Sequence, residues 1–116
     1  MLPRQHRLSD SRAFALTVRR GRRLPAPSVV GHLLTRPGNS DAAQIGLIVS
    51  KRVGNSVQRH RVSRRLRHAA AGGIDLLPPG SQLVLRALPG ASARGADLAG
   101  DVAAILQRAA LQRAAR

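Results

Sequence analysis

A chain of 116 residues that carries 20 Lys plus Arg against 5 Asp plus Glu has a formal charge of +15, so a polyanionic partner is expected. The length suits one domain, residues 1–116, with a single modest core, and because Phe14 is the sole aromatic residue that core must be aliphatic. The absence of cysteine excludes disulfides, thiolate zinc sites and a cysteine nucleophile, and no apolar run has signal length or approaches the roughly 20 residues of a membrane span. A cytoplasmic protein with no membrane partner is the expectation.

In chain order, Ser9 or Asp10 can cap a first helix, on which Phe14 and Val18 share a face at i and i+4, and Gly21 is placed to end it. Arg19, Arg20, Arg22 and Arg23 form a basic run, after which Pro25 and Pro27 impose an extended entry into the next element. Residues 29–35 read as a strand. Pro37-Gly38-Asn39-Ser40-Asp41 is a turn signal, and residues 44–50 read as a second strand, expected to pair with the first as a hairpin. A helix is predicted from Ser56, as its cap, to Ala71, where Gly72-Gly73 would stop it. Residues 81–88 alternate as a strand. A last helix from about Ala93 places Leu98, Val102, Ile105, Leu106 and Ala109 on one face, with Asp97 and Asp101 toward its positive end, and its final turn fades into Arg113 and Arg116.

The element order α-β-β-β-α-β-α predicts an α+β fold, an α/β sandwich in which three helices pack on a small mixed sheet of about four strands.

The middle helix carries the chemistry. Arg61, Arg64, Arg65 and His68 fall at i, i+3, i+4 and i+7, one continuous stripe, whereas Val62, Leu66, Ala69 and Ala70 fall on another side. A merely solvated face would interleave acidic partners at i+4, and residues 42–74 contain none, so the stripe calls for an external anion. Lys51 is the only lysine, and the planar guanidinium groups that make up the rest can chelate a phosphate or stack on a base. A GC-rich genome would account for the preference for Arg over Lys, but not for the net charge. His6, His32, His60 and His68 lack metal-ligand spacing, and no Ser-His-Asp order or carboxylate pair stands out.

Gly54, Asn55, Val57, Arg59, Arg61, Arg64 and Arg67, preceded by Val49, Ser50, Lys51 and Arg52, resemble the signature of the protein subunit of bacterial ribonuclease P. His60 stands where that family has Asn and Ser63 where it usually has Lys, while Arg65 occupies an often apolar position and restores the charge missing at Ser63. Weaker similarity covers most of the chain: Arg7-Leu8 with Ser11, Phe14 and Gly21 is similar to the family's first helix and its exit, and residues 83–86 to its last strand.

The resemblance implies several things together. It implies a left-handed β-α-β crossover around the arginine-rich helix, against the usual handedness. It implies a subunit of the ribonucleoprotein endonuclease that removes the 5′ leader of precursor tRNA, one protein per catalytic RNA, with Mg²⁺ held mainly by the RNA, no organic cofactor and no catalytic residue on the protein. Lys51, Arg52, Asn55, Arg59, His60, Arg61, Arg64, Arg65, Arg67 and His68 would dock the catalytic RNA. Phe14, Val18, His32 and Arg86 would line a cleft for the single-stranded leader, with His32 where the family has Tyr and Val18 where it often has a second aromatic. For Phe14 a plain core role is the competing reading. A ribosomal or chaperone-like RNA-binding protein shares the charge without needing this turn and arginine spacing together, and a histone-like protein would prefer duplex DNA.

Overall fold

The computed structural model describes residues 2–36 and 41–114, so the expected turn at Pro37–Ser40 and the terminal Arg116 lie outside the described residues. Three helices pack on a four-stranded mixed sheet. The strands are β1 (Arg22–Pro25), β2 (Val29–Thr35), β3 (Gln44–Ile48) and β4 (Ser81–Ala87), in the spatial order β1-β2-β4-β3. The helices are α1 (Ser11–Arg20), α2 (Ser56–Gly73) and α3 (Leu98–Ala114).

The expected hairpin between residues 29–35 and 44–50 does not form. Instead β4 lies between them, antiparallel to β2 and parallel to β3. The reason is burial: Leu83, Val84 and Leu85 are apolar on consecutive positions and 0% exposed, and such a run is satisfied only at the centre of a sheet covered on both faces. The hairpin that does form joins β1 to β2, so the extended entry imposed by Pro25 is itself an edge strand, closed by Ala26 N–H donating to Val29 O at 2.9 Å. Proline at the end of an edge strand costs the ladder nothing in the interior.

Alternation divides the sheet into two faces. Leu24, Val29, Leu33, Ile45, Leu83 and Leu85 belong to the main core, which also takes Val62, Leu66 and Ala70 from α2 and Leu98, Val102, Ile105 and Ala109 from α3. Each fully buried leucine contributes about 1.5–3 kcal/mol. Close approach of α3 requires Gly31, since a Cβ there would lie 2.7 Å from Ile105 Cγ2. The other face carries Val30, His32, Val84, Arg86 and Gly46, and α1 packs on part of it.

The helix ends follow local chemistry. Asp10 caps α1 by accepting from Arg12 N–H at 3.1 Å, and Gly21 closes it by donating to Thr17 O at 2.8 Å. Helix α2 runs two residues beyond the expected stop and passes into a short 3-10 turn, Ile74–Leu76. Gly73 is retained in it because a Cβ would come 2.6 Å from Leu106 Cδ1, so the glycine admits α3 rather than terminating α2. Helix α3 starts at Leu98, later than expected, because Pro89–Ser92 forms its own 3-10 turn and Asp97 Oδ1 accepts from Gly100 N–H at 2.9 Å, the cap geometry. Asp101 fixes α3 to the β1–β2 turn through Ser28, whose backbone N–H (2.9 Å) and hydroxyl both donate to Oδ2.

Candidate nucleic-acid interface

Helix α2 begins with a turn that its sequence dictates in detail. Ser50 Oγ accepts from Arg52 N–H at 3.3 Å and opens the 3-10 turn Lys51–Val53, which holds Lys51 and Arg52 exposed ahead of the helix. Gly54 then adopts φ 150°, and a side chain there would also collide with the Gln58 carboxamide. Glycine is therefore needed on both conformational and steric grounds. Asn55, rather than Ser56, is the N-cap: its Oδ1 accepts from Gln58 N–H, and Gln58 Oε1 accepts from Asn55 N–H, both at 2.9 Å. This capping box explains why a Gly-Asn pair stands at this point, and it engages the Asn55 oxygen internally.

Beyond the cap, Val62, Leu66 and Ala70 turn inward and Arg61, Arg64, Arg65 and His68 are exposed together, as the spacing predicts. Arg59 and Arg67 lie on the opposite flank of the core stripe at i and i+8, both half-buried. Arg67 Nε donates to Ser63 O at 3.4 Å, whereas Arg59 Nε is buried without a hydrogen-bond partner. His60 is exposed and, with Ser56, Val57, Arg61 and Arg64, borders a shallow depression of about 440 Å³. Val57 itself is 65% exposed at this rim, an apolar residue with no core role. His60, Arg61, Arg64, Arg65 and His68 thus share one exposed surface, with Lys51 and Arg52 exposed ahead of its leading end, whereas Arg59 and Arg67 stand apart from it.

The second set gathers on the sheet face that α1 only partly covers. Strand register places Gly46, Val84, His32 and Arg23 in one cross-strand row, and Ile48, Arg86, Val30 and Pro25 in the next. Phe14 is half-buried with its ring against Gly46, where a Cβ would overlap it. It stands outside the main core cluster. Val18, on the same flank of α1, is 36% exposed. Thr17 anchors the helix, its hydroxyl bonded to Ala13 O at 2.7 Å and lying 3.3 Å from Gln82 Oε1.

His32 is 6% exposed and its Nε2 has no hydrogen-bond partner; the buried Arg86 Nε, from the neighbouring row, has none either. Burial pushes the His32 imidazole below its ordinary pKa, and the Arg86 and Arg23 guanidinium groups add to the shift. An imidazole and a guanidinium with unmet hydrogen-bonding capacity thus stand in adjacent rows of the sheet face on which the Phe14 ring rests at Gly46.

Sequence reasoning did not single out Gly46, Thr17 or Arg23 at this site. Arg23 was legible only as part of a basic run; its place beside His32 depends on the β1–β2 register. Gly46, an isolated glycine in a strand pattern, is itself a signal of close approach by another group. Among the described residues no group of three or more His, Cys, Asp or Glu could hold a metal ion, and no helix is long and apolar enough to cross a membrane.

Comparison with known proteins gives the family and the fold. The family model described as Ribonuclease P matches residues 2–110. The ribonuclease P protein component of Mycobacterium sp. (strain KMS) is 46% identical over 110 residues, covering 94% of this chain and 93% of that protein. That of Streptomyces avermitilis is 48% identical over 116 residues, covering 93% and 94%. In solved structures, the Staphylococcus aureus RNase P protein superposes with a TM-score of 0.76 at 17% identity, covering 90% of this chain and 94% of that one. The Thermotoga maritima protein gives 0.73 at 20%, covering 88% and 96%. Those two likenesses establish the three-helix, four-strand fold. With the family model spanning nearly the whole chain and relatives this similar, the chain belongs to the ribonuclease P protein family, the protein subunits of the enzyme that processes the 5′ end of tRNA.

Proposed function

We propose that the chain binds two RNAs at once, docking the catalytic RNA through α2 and gripping the single-stranded 5′ leader of precursor tRNA on the open sheet face. The observation that carries this reading is the pairing of an arginine surface that has no acidic residue in its own stretch, residues 42–74, with a separate sheet face that carries His32 and Arg86 and on which the Phe14 ring rests at Gly46. Docking falls to Lys51, Arg52, Arg59, His60, Arg61, Arg64, Arg65, Arg67 and His68, with Asn55 shaping the turn and offering its remaining NH₂ group. The orphaned Nε of Arg59 supports an external acceptor there.

On the leader side, Phe14 offers a ring for an unpaired base, and Val18 extends its apolar flank. His32 Nε2 and Arg86 Nε offer polar partners for a base edge or a phosphate. Hydrolysis belongs to the RNA subunit and the Mg²⁺ it holds, which provides metal-assisted attack of water on the phosphodiester. The protein's part is to bind, orient and screen phosphate repulsion, which lowers the Mg²⁺ requirement.

Reconstitution with the cognate catalytic RNA and 5′-labelled precursor tRNA tests this. Protein alone should leave the substrate intact, and adding it to the RNA subunit should stimulate cleavage at low Mg²⁺. Metal-dependent cleavage at the mature 5′ end by rigorously RNA-free protein would refute the division of labour.

A further inference from the structure

We propose that Arg94, together with Arg61 and Arg65, forms a phosphate pocket that receives the sugar-phosphate backbone of the catalytic RNA, an extension of the docking surface onto the segment that leads into α3. This rests on the reading of α2 as the docking helix.

A depression of about 300 Å³ lies between α2 and the Pro89–Ser92 turn, its polar wall made by Gln58, Arg61, Arg65, Ser92 and Arg94. No carboxylate lines it. Arg61 and Arg65 are one helical turn apart on the flank of α2, and Arg94 arrives from a segment almost thirty residues later. Three exposed guanidinium groups from two segments around one concavity repel one another until an anion enters, and each can grip phosphate oxygens with two parallel hydrogen bonds.

The segment that brings Arg94 is held firmly. Ser92 Oγ donates to Val53 O at 2.6 Å, tying it to the turn that opens α2. Ala91 beside it and Val53, each 3% exposed, belong to the core. Ala91 N–H donates to Leu88 O at 2.9 Å, Ala93 N–H to Gly90 O at 3.0 Å and Ala96 N–H to Ala93 O at 3.1 Å. The backbone on either side of Arg94 is therefore fixed, and its side chain loses little backbone freedom on binding. Gln58, whose oxygen is engaged by Asn55 N–H, keeps its NH₂ group as an additional donor.

The test is equilibrium binding of the full chain to the catalytic RNA over a series of salt concentrations, for wild type, Arg61→Ala, Arg94→Ala and Arg22→Ala. Arg22 is exposed on β1, at the opposite edge of the sheet from β3, and controls for net charge. Arg94→Ala should weaken binding about tenfold and flatten the slope of log K against log salt by about one, with an unchanged melting temperature. Arg22→Ala should stay within about twofold of wild type. If Arg94→Ala matches Arg22→Ala while Arg61→Ala loses affinity, the pocket is refuted and the docking helix stands. If wild type has no affinity for the catalytic RNA, both fall. Precursor tRNA alone, without the catalytic RNA, is the second arm: an equal tenfold loss there would assign Arg94 to the substrate and overturn the proposal.

Discussion

Replacing Phe14 by Leu separates a ring that stacks on RNA from one that merely fills space. The ring is half-buried against the backbone of Gly46 and lies outside the main core, so Leu retains much of the apolar volume and stability should fall by about 1 kcal/mol, within the range of volume-conserving swaps. Stacking of one base on an aromatic ring is worth about 1–3 kcal/mol, which corresponds to roughly a fivefold to 150-fold loss of affinity for a substrate with a leader of several nucleotides. Mature tRNA, which has no leader, should bind the reconstituted enzyme almost unchanged. Gly46→Ala probes the same contact from below, because its Cβ must displace the ring; the leader preference should fall there too. In a double-mutant cycle the second change should add little once the first has been made, since both act through one contact. Equal losses for the two RNAs, or a collapse in melting temperature with leader preference intact, would return Phe14 to a structural role and leave His32 or Arg86 as the leader contact.

Three further outcomes are expected. Arg61→Ala and Arg65→Ala should each weaken binding to the catalytic RNA and reduce its salt dependence by about one counterion; loss on Arg113→Ala instead would move docking to α3. Because the folded-state pKa of His32 lies below the ordinary 6.5, the unfolded chain takes up the proton first as pH falls. Stability should thus be complete above about pH 6.5 and decline below it, and His32→Gln should lack that part of the decline in pH-dependent denaturant titrations. Asn55→Ala removes one half of the capping box and should cost about 1 kcal/mol of stability by thermal melting; an unchanged melting curve would show that the cap contributes nothing to α2.

Much of the local structure is readable from the chain because it depends on neighbours a few residues apart. Asp10 and Gly21 bound α1, and the alternation of Arg61, Arg64 and Arg65 with Val62, Leu66 and Ala70 orients α2, each within a helical turn or two. Strand order is different. Nothing near residues 29–35 or 44–48 records that a strand almost forty residues beyond will come between them, because that outcome rests on where the twice-buried Leu83-Val84-Leu85 run must go. The glycine pair after α2 misleads for a similar reason: Gly73 answers to Leu106 on a distant helix, not to its own. The turn signature and the α2 arginines were legible site features, whereas Arg94 was not, since its proximity to Arg61 and Arg65 comes from the Ser92–Val53 tether.

The place of β4 has a consequence for how the chain is made. During synthesis β1, β2, β3 and α2 all emerge before residues 81–87, so β2 and β3 each wait with an unpaired edge that only the late strand can fill. Until then the nascent chain exposes the apolar partners Val29, Leu33 and Ile45, and no partial sheet larger than the β1–β2 hairpin is available to shelter them. Completion of the sheet is therefore a single late event that joins the β1–β2 hairpin to the lone strand β3, and a ribosome stalled before residue 81 would hold a product with two open edges, prone to association with other chains.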